Sequence, residues 1–161
     1  MFGAGDRVYR LVERWTPEKS YQHEKRFQKD LYEYLQAELN QGGGFMAGAQ
    51  QHTVEREHGR SYADIAVNGE VGIELKRDLS NSQTKKLRGQ IETHREEYPH
   101  VIVCACGVDD RDGWQRLVEK YRGPQMGFGQ GTVKFVHKRK AEYDSRVKDD
   151  RGSGASGGFW E

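Results

Sequence analysis

Asn68-Gly69 lies between two runs that alternate apolar and polar residues, Ser61 to Val67 and Val71 to Arg77. Both central residues of a type I′ turn need positive φ, and Asn-Gly meets that need at little cost. The pair predicts two antiparallel strands joined by a tight turn. A long amphipathic helix follows from Leu79 to Tyr98, capped by Ser80 or Asn81 and ended by Pro99. This strand-turn-strand-helix unit carries Asp64 on its first strand, Glu74 and Lys76 on its second, and Gln90 on its helix.

The register of the hairpin decides what those residues can do together. With Asn68 and Gly69 alone as the loop, Val67 pairs with Glu70, Ile65 with Gly72 and Asp64 with Ile73. Side chains alternate with a period of two, so Asp64 and Glu74 then lie on opposite faces. A one-residue bulge or a three-residue loop brings them to one face. A joint site therefore requires a bulge or a longer turn near Gly69 to Gly72.

The rest of the chain supplies the layers around this unit. Val8, Leu11, Val12 and Trp15 follow helical spacing, and residues 1–16 read as a docked arm or short helix. Thr16-Pro17-Glu18 predicts a helix opening, with a capping hydroxyl, proline at the first helical position and an acid near the positive dipole end. That helix is expected to run to about Leu39 and stop at Gly42-Gly43-Gly44, with Phe27, Leu31, Tyr34 and Leu35 as its apolar stripe. Glu24 shares that face. His52 to His58 reads as an edge strand. Val101 to Cys106 is an apolar, β-branched run suited to a strand covered on both faces. Asp110 to Tyr121 is a further helix, and Thr132 to Lys138 a further strand. A hairpin followed by strand-helix-strand units predicts an α/β fold, a mixed sheet with helices on both faces. From Arg151 to Glu161 the chain is glycine- and serine-rich, with Phe159 and Trp160 near its end; residues 141–161 read as a flexible polar tail.

Composition narrows the function classes. The chain has 161 residues, one domain's worth, with 34% hydrophobic and 32% charged side chains. Its net charge is +1, from 26 basic and 25 acidic residues, so any affinity for a polyanion must come from local clustering. No run of about 18 apolar residues predicts a membrane span, and MFGAGDRVYRL lacks an apolar signal core, so a cytoplasmic location is expected. The two cysteines, Cys104 and Cys106, face the same side of one strand, too awkwardly placed to bridge each other, and are expected as buried thiols.

Asp64, nine intervening residues, then Glu74-Leu75-Lys76 is a spacing with a mechanism behind it. Two carboxylates converging from neighbouring strands can hold Mg²⁺ or Mn²⁺ through oxygen, with the Leu75 carbonyl as a further ligand. Such an ion coordinates a phosphate oxygen and activates a water. Lys76 can assist deprotonation or stabilise charge on the phosphate. Gln90 can orient the water, and Glu24 can approach as a third carboxylate. The bland readings stay open: Glu-x-Lys also occurs on solvated strands, Glu24 competes with Glu18 and Glu33, and Gln90 can simply bond a sheet edge. Arg60, Arg77, Lys85, Lys86 and Arg88 cluster near this unit, and Lys134, Lys138, Arg139 and Lys140 mark the last strand. Near a metal site they are candidates for phosphate contacts, which position rather than specify.

Over residues 17 to 138 the chain resembles the PD-(D/E)xK nuclease superfamily. The matching pieces are Glu24 in HEKRFQKDL, Asp64 in YADIAV, Glu74 and Lys76 in GIELKRD, and Gln90 in LRGQIETH. The resemblance implies a restriction-endonuclease-like αβββαβ core, a nuclease-like domain at residues 17–140, and Mg²⁺-dependent hydrolysis of DNA. In that reading Asp64 and Glu74 bind metal, Lys76 assists hydrolysis and Glu24 contacts the site. The helix glutamine is typical of branches that include Holliday-junction resolvases and recombination-type exonucleases; a resolvase implies a homodimer. Two positions depart from the pattern: Ala63 replaces proline before the aspartate, and His94 stands where some branches carry tyrosine. The alternative is an inactive module of the same fold that binds nucleic acid or assembles with a partner through its aromatic-tipped tail.

Overall fold

The computed structural model describes residues 3–40, 51–122 and 131–144. Five strands form one sheet in sequence order: β1 (Val54–His58), β2 (Ala63–Val67), β3 (Val71–Leu79), β4 (His100–Val108) and β5 (Thr132–Lys138). The first three are antiparallel neighbours, and β3, β4 and β5 run parallel. The sheet is thus mixed. Helices α1 (Ala4–Arg14) and α2 (Glu24–Asn40) pack on one face, and α3 (Asn81–Glu97) and α4 (Arg111–Lys120) on the other. Both parallel crossovers step one strand in the same direction, so their helices share a face. Sequence-distant apolar residues meet in two layers. Phe27, Leu31, Leu35, Ile73, Leu75 and Cys104 belong to the first, and Leu87, Ile91, Val103, Trp114 and Leu117 to the second. β4 is buried along nearly its whole length, as its composition predicts.

α1 belongs to the first layer through Val8, Leu11, Val12 and Trp15. At the other end, α5 (Lys140–Tyr143) buries Tyr143 in the same layer, so the packed chain continues past residue 140 to Asp144. The rest of the tail, with Phe159 and Trp160, and residues 41–50 and 123–130 of the two glycine-rich segments lie outside the described residues. Cys104 and Cys106 are free and buried, and burial pushes the Cys106 thiol well above its ordinary pKa.

The helix opening expected at Thr16-Pro17-Glu18 is corrected: α2 starts at Glu24. The local signal loses to a tertiary one. Asp30, inside α2, accepts from Trp15 Nε1 (3.0 Å), Glu18 N (3.0 Å) and Tyr21 Oη (2.8 Å), and Arg77 Nε donates to the Tyr21 carbonyl (2.8 Å). These four bonds hold residues 15–21 against α2 and the sheet in a non-helical path. Asp30→Ala leaves the indole N–H of the buried Trp15 without its acceptor. We expect a loss of about 2 kcal/mol or more in urea unfolding, since bonds to a charged acceptor are worth roughly 1.5–3 kcal/mol.

The hairpin register is the one a shared site requires. Asn68 and Gly69 have φ of +54° and +65°, and Glu70 N bonds the Val67 carbonyl (2.9 Å). The ladder then resumes at Val67 with Val71, not Glu70, followed by Ala66 with Gly72 and Ile65 with Ile73. Glu70 is the extra residue. Ile65, Val67, Val71 and Ile73 all enter one apolar layer only in this register, and that burial selects it over the simplest turn.

Candidate active site

Beyond the pair Ile65 and Ile73 the β2–β3 ladder stops. The next residue pair would be Asp64 and Glu74. Instead of continuing the ladder, the Asp64 side chain takes over: its Oδ2 accepts from Leu75 N at 2.7 Å. In a strand the N–H and C=O of one residue lie along the same edge, so the Leu75 carbonyl borders the same gap. Gln28 on α2 fixes the other side. Its Nε2 donates to the Asp64 carbonyl (3.1 Å), while Arg56 Nη2 donates to its Oε1 (2.8 Å). Gln28 itself is buried.

Glu74 is 4% exposed and bonded on both oxygens. His94 Nε2 lies 2.7 Å from Oε1, and Lys76 Nζ 3.0 Å from Oε2. His94 is 1% exposed on α3. Gln90 sits one helical turn before it on the same face, and its Oε1 is buried with no hydrogen-bond partner. Glu24, in the first turn of α2, has a buried Oε1 that is likewise without a partner. Glu24 lies within electrostatic reach of Lys76, Glu74 and Asp64.

Three carboxylates, Glu24, Asp64 and Glu74, converge on the ammonium of Lys76, while the Arg77 charge also acts on Glu24 and His94 bonds Glu74. Burial, reinforced by the Glu74 charge, pushes Asp64 up to about 8. Burial also raises Glu24. Glu74 is the exception: burial would raise it, but His94 and Lys76 hold it below its ordinary value. Burial works against the Lys76 ammonium too, yet Glu74, Glu24 and Asp64 raise its pKa. Burial and the neighbouring carboxylate therefore favour the neutral form of Asp64, while His94 and Lys76 favour the charged form of Glu74.

A divalent ion fits this donor set. The donors are hard oxygens, two acceptor oxygens are orphaned, and burial beside the Glu74 charge pushes the Asp64 carboxyl towards its neutral form. Each carboxylate offers about four lone-pair positions. Asp64 uses one on Leu75 N, and Glu74 uses two. Among the described residues, no group of three or more His, Cys, Asp and Glu side chains is placed to hold an ion by itself. Mg²⁺ commonly uses one or two carboxylates and completes its shell with water and phosphate. Asp64, Glu74 and the Leu75 carbonyl are the groups that would hold it.

The basic residues divide. Lys85, Lys86 and Arg88 are exposed on the first turns of α3. Lys85 and Arg88 line a cleft of about 270 Å³ together with Asn81, Thr84 and Arg116. Arg60 is exposed in the β1–β2 loop. Arg77 is committed elsewhere, to the Tyr21 carbonyl and Asp78. Of the last-strand set, Lys134 pairs with Asp6, Lys140 with Asp78, and the buried Lys138 donates to the Glu13 carbonyl. Arg77, Lys134, Lys138 and Lys140 thus each have a partner within the chain.

Two residues of the site escape sequence reasoning as functional. His94 reads as a substitution at a tyrosine position, although its place four residues after Gln90 puts it on the site-facing side of α3. Gln28 hides inside the apolar stripe of α2, four residues after Glu24.

No family model matches the sequence, and neither a curated protein nor a solved structure matches the chain. Among the described residues no helix is long and apolar enough to cross a membrane.

Proposed function

We propose that the chain is a divalent-metal-dependent nuclease that hydrolyses DNA phosphodiester bonds at Asp64, Glu74 and Lys76. The observation that carries this is the break in the β2–β3 ladder, where the Asp64 carboxyl takes the Leu75 N–H and faces a buried Glu74 whose Oε2 meets Lys76 Nζ at 3.0 Å. A bound Mg²⁺ or Mn²⁺ supplies Lewis acidity at a phosphate oxygen and a water of lowered pKa. Asp64, as its carboxylate, would hold the ion together with Glu74 and the Leu75 carbonyl. Lys76, kept protonated by its acidic neighbours, offsets charge that builds on the phosphate oxygens as the new P–O bond forms and the ester P–O bond breaks. Gln90 offers its free Oε1 to orient the water, and Glu24 its free Oε1 as a further acceptor. His94 holds Glu74 in place. Gln28 fixes the backbone that carries Asp64. The element run α2-β1-β2-β3-α3-β4 and the helix-borne Gln90 support a restriction-endonuclease-like core of the resolvase or recombination-exonuclease branch.

A cleavage panel tests this reading: single-stranded, duplex, nicked, flapped and four-way DNA with Mn²⁺. The wild type is expected to cut at least one form and to lose this in EDTA. Asp64→Ala is expected to fall by roughly a hundredfold or more, the several kcal/mol that metal charge supplies. Symmetric cuts in the four-way form would assign a homodimer. Binding of DNA without cutting of any form favours the inactive module instead.

A further inference from the structure

Tyr62 is the large hydrophobic side chain left exposed among the described residues, at 73%. It ends the four-residue β1–β2 loop, between His58 and Ala63, which pair across the hairpin. Its N–H closes the turn on the Gly59 carbonyl (3.3 Å), and its φ is +53°. A left-handed position of this kind is ordinarily filled by glycine or asparagine, because a Cβ with a large substituent is strained there. The chain places an aromatic ring at it.

The loop is clamped. Glu97, at the end of α3, accepts from Arg60 N (3.1 Å), Ser61 N (3.0 Å) and Ser61 Oγ (2.6 Å). Tyr98 Oη bonds the His58 carbonyl (3.1 Å). The ring therefore projects from a fixed backbone and is presented to solvent without ordering of the loop. Its Cα lies no more than about 7 Å along the chain from that of Asp64. Arg60, two residues before it, adds an exposed guanidinium. An aromatic face beside a free cation is the combination by which proteins hold unpaired bases and their phosphates.

We propose that Tyr62 is a stacking platform for an unpaired nucleobase beside the Asp64 site, so that the preferred substrate is single-stranded or locally unpaired nucleic acid. The inference rests on the nuclease reading and sharpens its substrate class. Bases inside a duplex are already stacked on both faces and offer the ring none, so away from the duplex ends the contact discriminates by strandedness.

The test is fluorescence anisotropy in EDTA, where no cutting occurs, with a labelled oligothymidylate of about twenty nucleotides and a labelled blunt duplex. Tyr62→Ala is expected to weaken oligothymidylate binding about tenfold or more, the range seen when a stacking ring is removed. Duplex binding should stay within about twofold, and Tyr62→Phe should bind both as wild type does. Tyr62→Asn should bind like Tyr62→Ala yet melt no lower than the wild type, since asparagine tolerates the left-handed conformation. Unchanged oligothymidylate binding by Tyr62→Ala overturns the stacking contact, as does an equal loss on both probes. A wild type that binds neither probe overturns the stacking contact, whereas the nuclease reading stands or falls on the cleavage panel with Mn²⁺.

Discussion

Asparagine in place of Asp64 is expected to make the metal-free protein more stable at pH 8, while removing its response to divalent metal. The sign follows from the direction of the shift. The folded protein holds Asp64 at about 8, above its ordinary 3.8, so folding favours the neutral carboxyl. That contribution is complete below about pH 4 and is lost progressively as pH rises through 8. Wild-type stability therefore declines across this window on account of Asp64. Asparagine is neutral throughout and can still accept from Leu75 N. The difference should be on the order of a few kcal/mol at pH 8, or about 6 °C or more in Tm, and should shrink towards zero below pH 4. Mn²⁺ should raise the wild-type Tm and leave Asp64→Asn unmoved. Thermal melts at pH 4, 6 and 8, with and without metal, read all of this. A variant that is less stable than the wild type at pH 8 would show that the Asp64 carboxylate is already compensated in the protein alone.

The second large effect is at His94. Its bond to Glu74 Oε1 is between two nearly fully buried groups, and removing one member of such a pair leaves the other undercompensated. His94→Ala is expected to cost about 3 kcal/mol in urea unfolding, with the Lys76 contact limiting the loss. Freed of its partner, Glu74 becomes a less well placed ligand, and Mn²⁺ affinity should fall roughly 10- to 100-fold, as for other groups that orient a metal ligand. His94→Gln retains an N–H donor and should recover part of both losses. Equal stability of wild type and His94→Ala would contradict the arrangement of the pair.

What the sequence discloses and what it withholds have physical reasons. Local chemistry was readable: Asn68-Gly69 turns the chain, and Ser80, one of the two caps expected, caps α3. The alternation of Ile65 and Val67 with Ile73 and Val71 carries the hairpin register as well, because a slipped pairing would divide these residues between the two faces. The shared face of Asp64 and Glu74 follows from that burial rather than from the turn. The start of α2 was not readable, because Thr16-Pro17 is a sound local signal overridden by Asp30. Nor were the roles of Arg77 and Lys138, which look like free cations in sequence but are tied to carbonyls 56 and 125 residues away. His94 and Gln28 lie at helical spacing from Gln90 and Glu24, but the partners that define their roles lie on other elements.

Calorimetric titration of Mn²⁺ at pH 7 in two buffers of different ionisation enthalpy reads the Asp64 site itself. Asp64 must lose its proton for the cation to bind, so the wild type is expected to bind metal with release of about one proton, and Asp64→Asn to bind none at that site. Absence of binding in the wild type, or binding that Asp64→Asn leaves unchanged, would contradict the account.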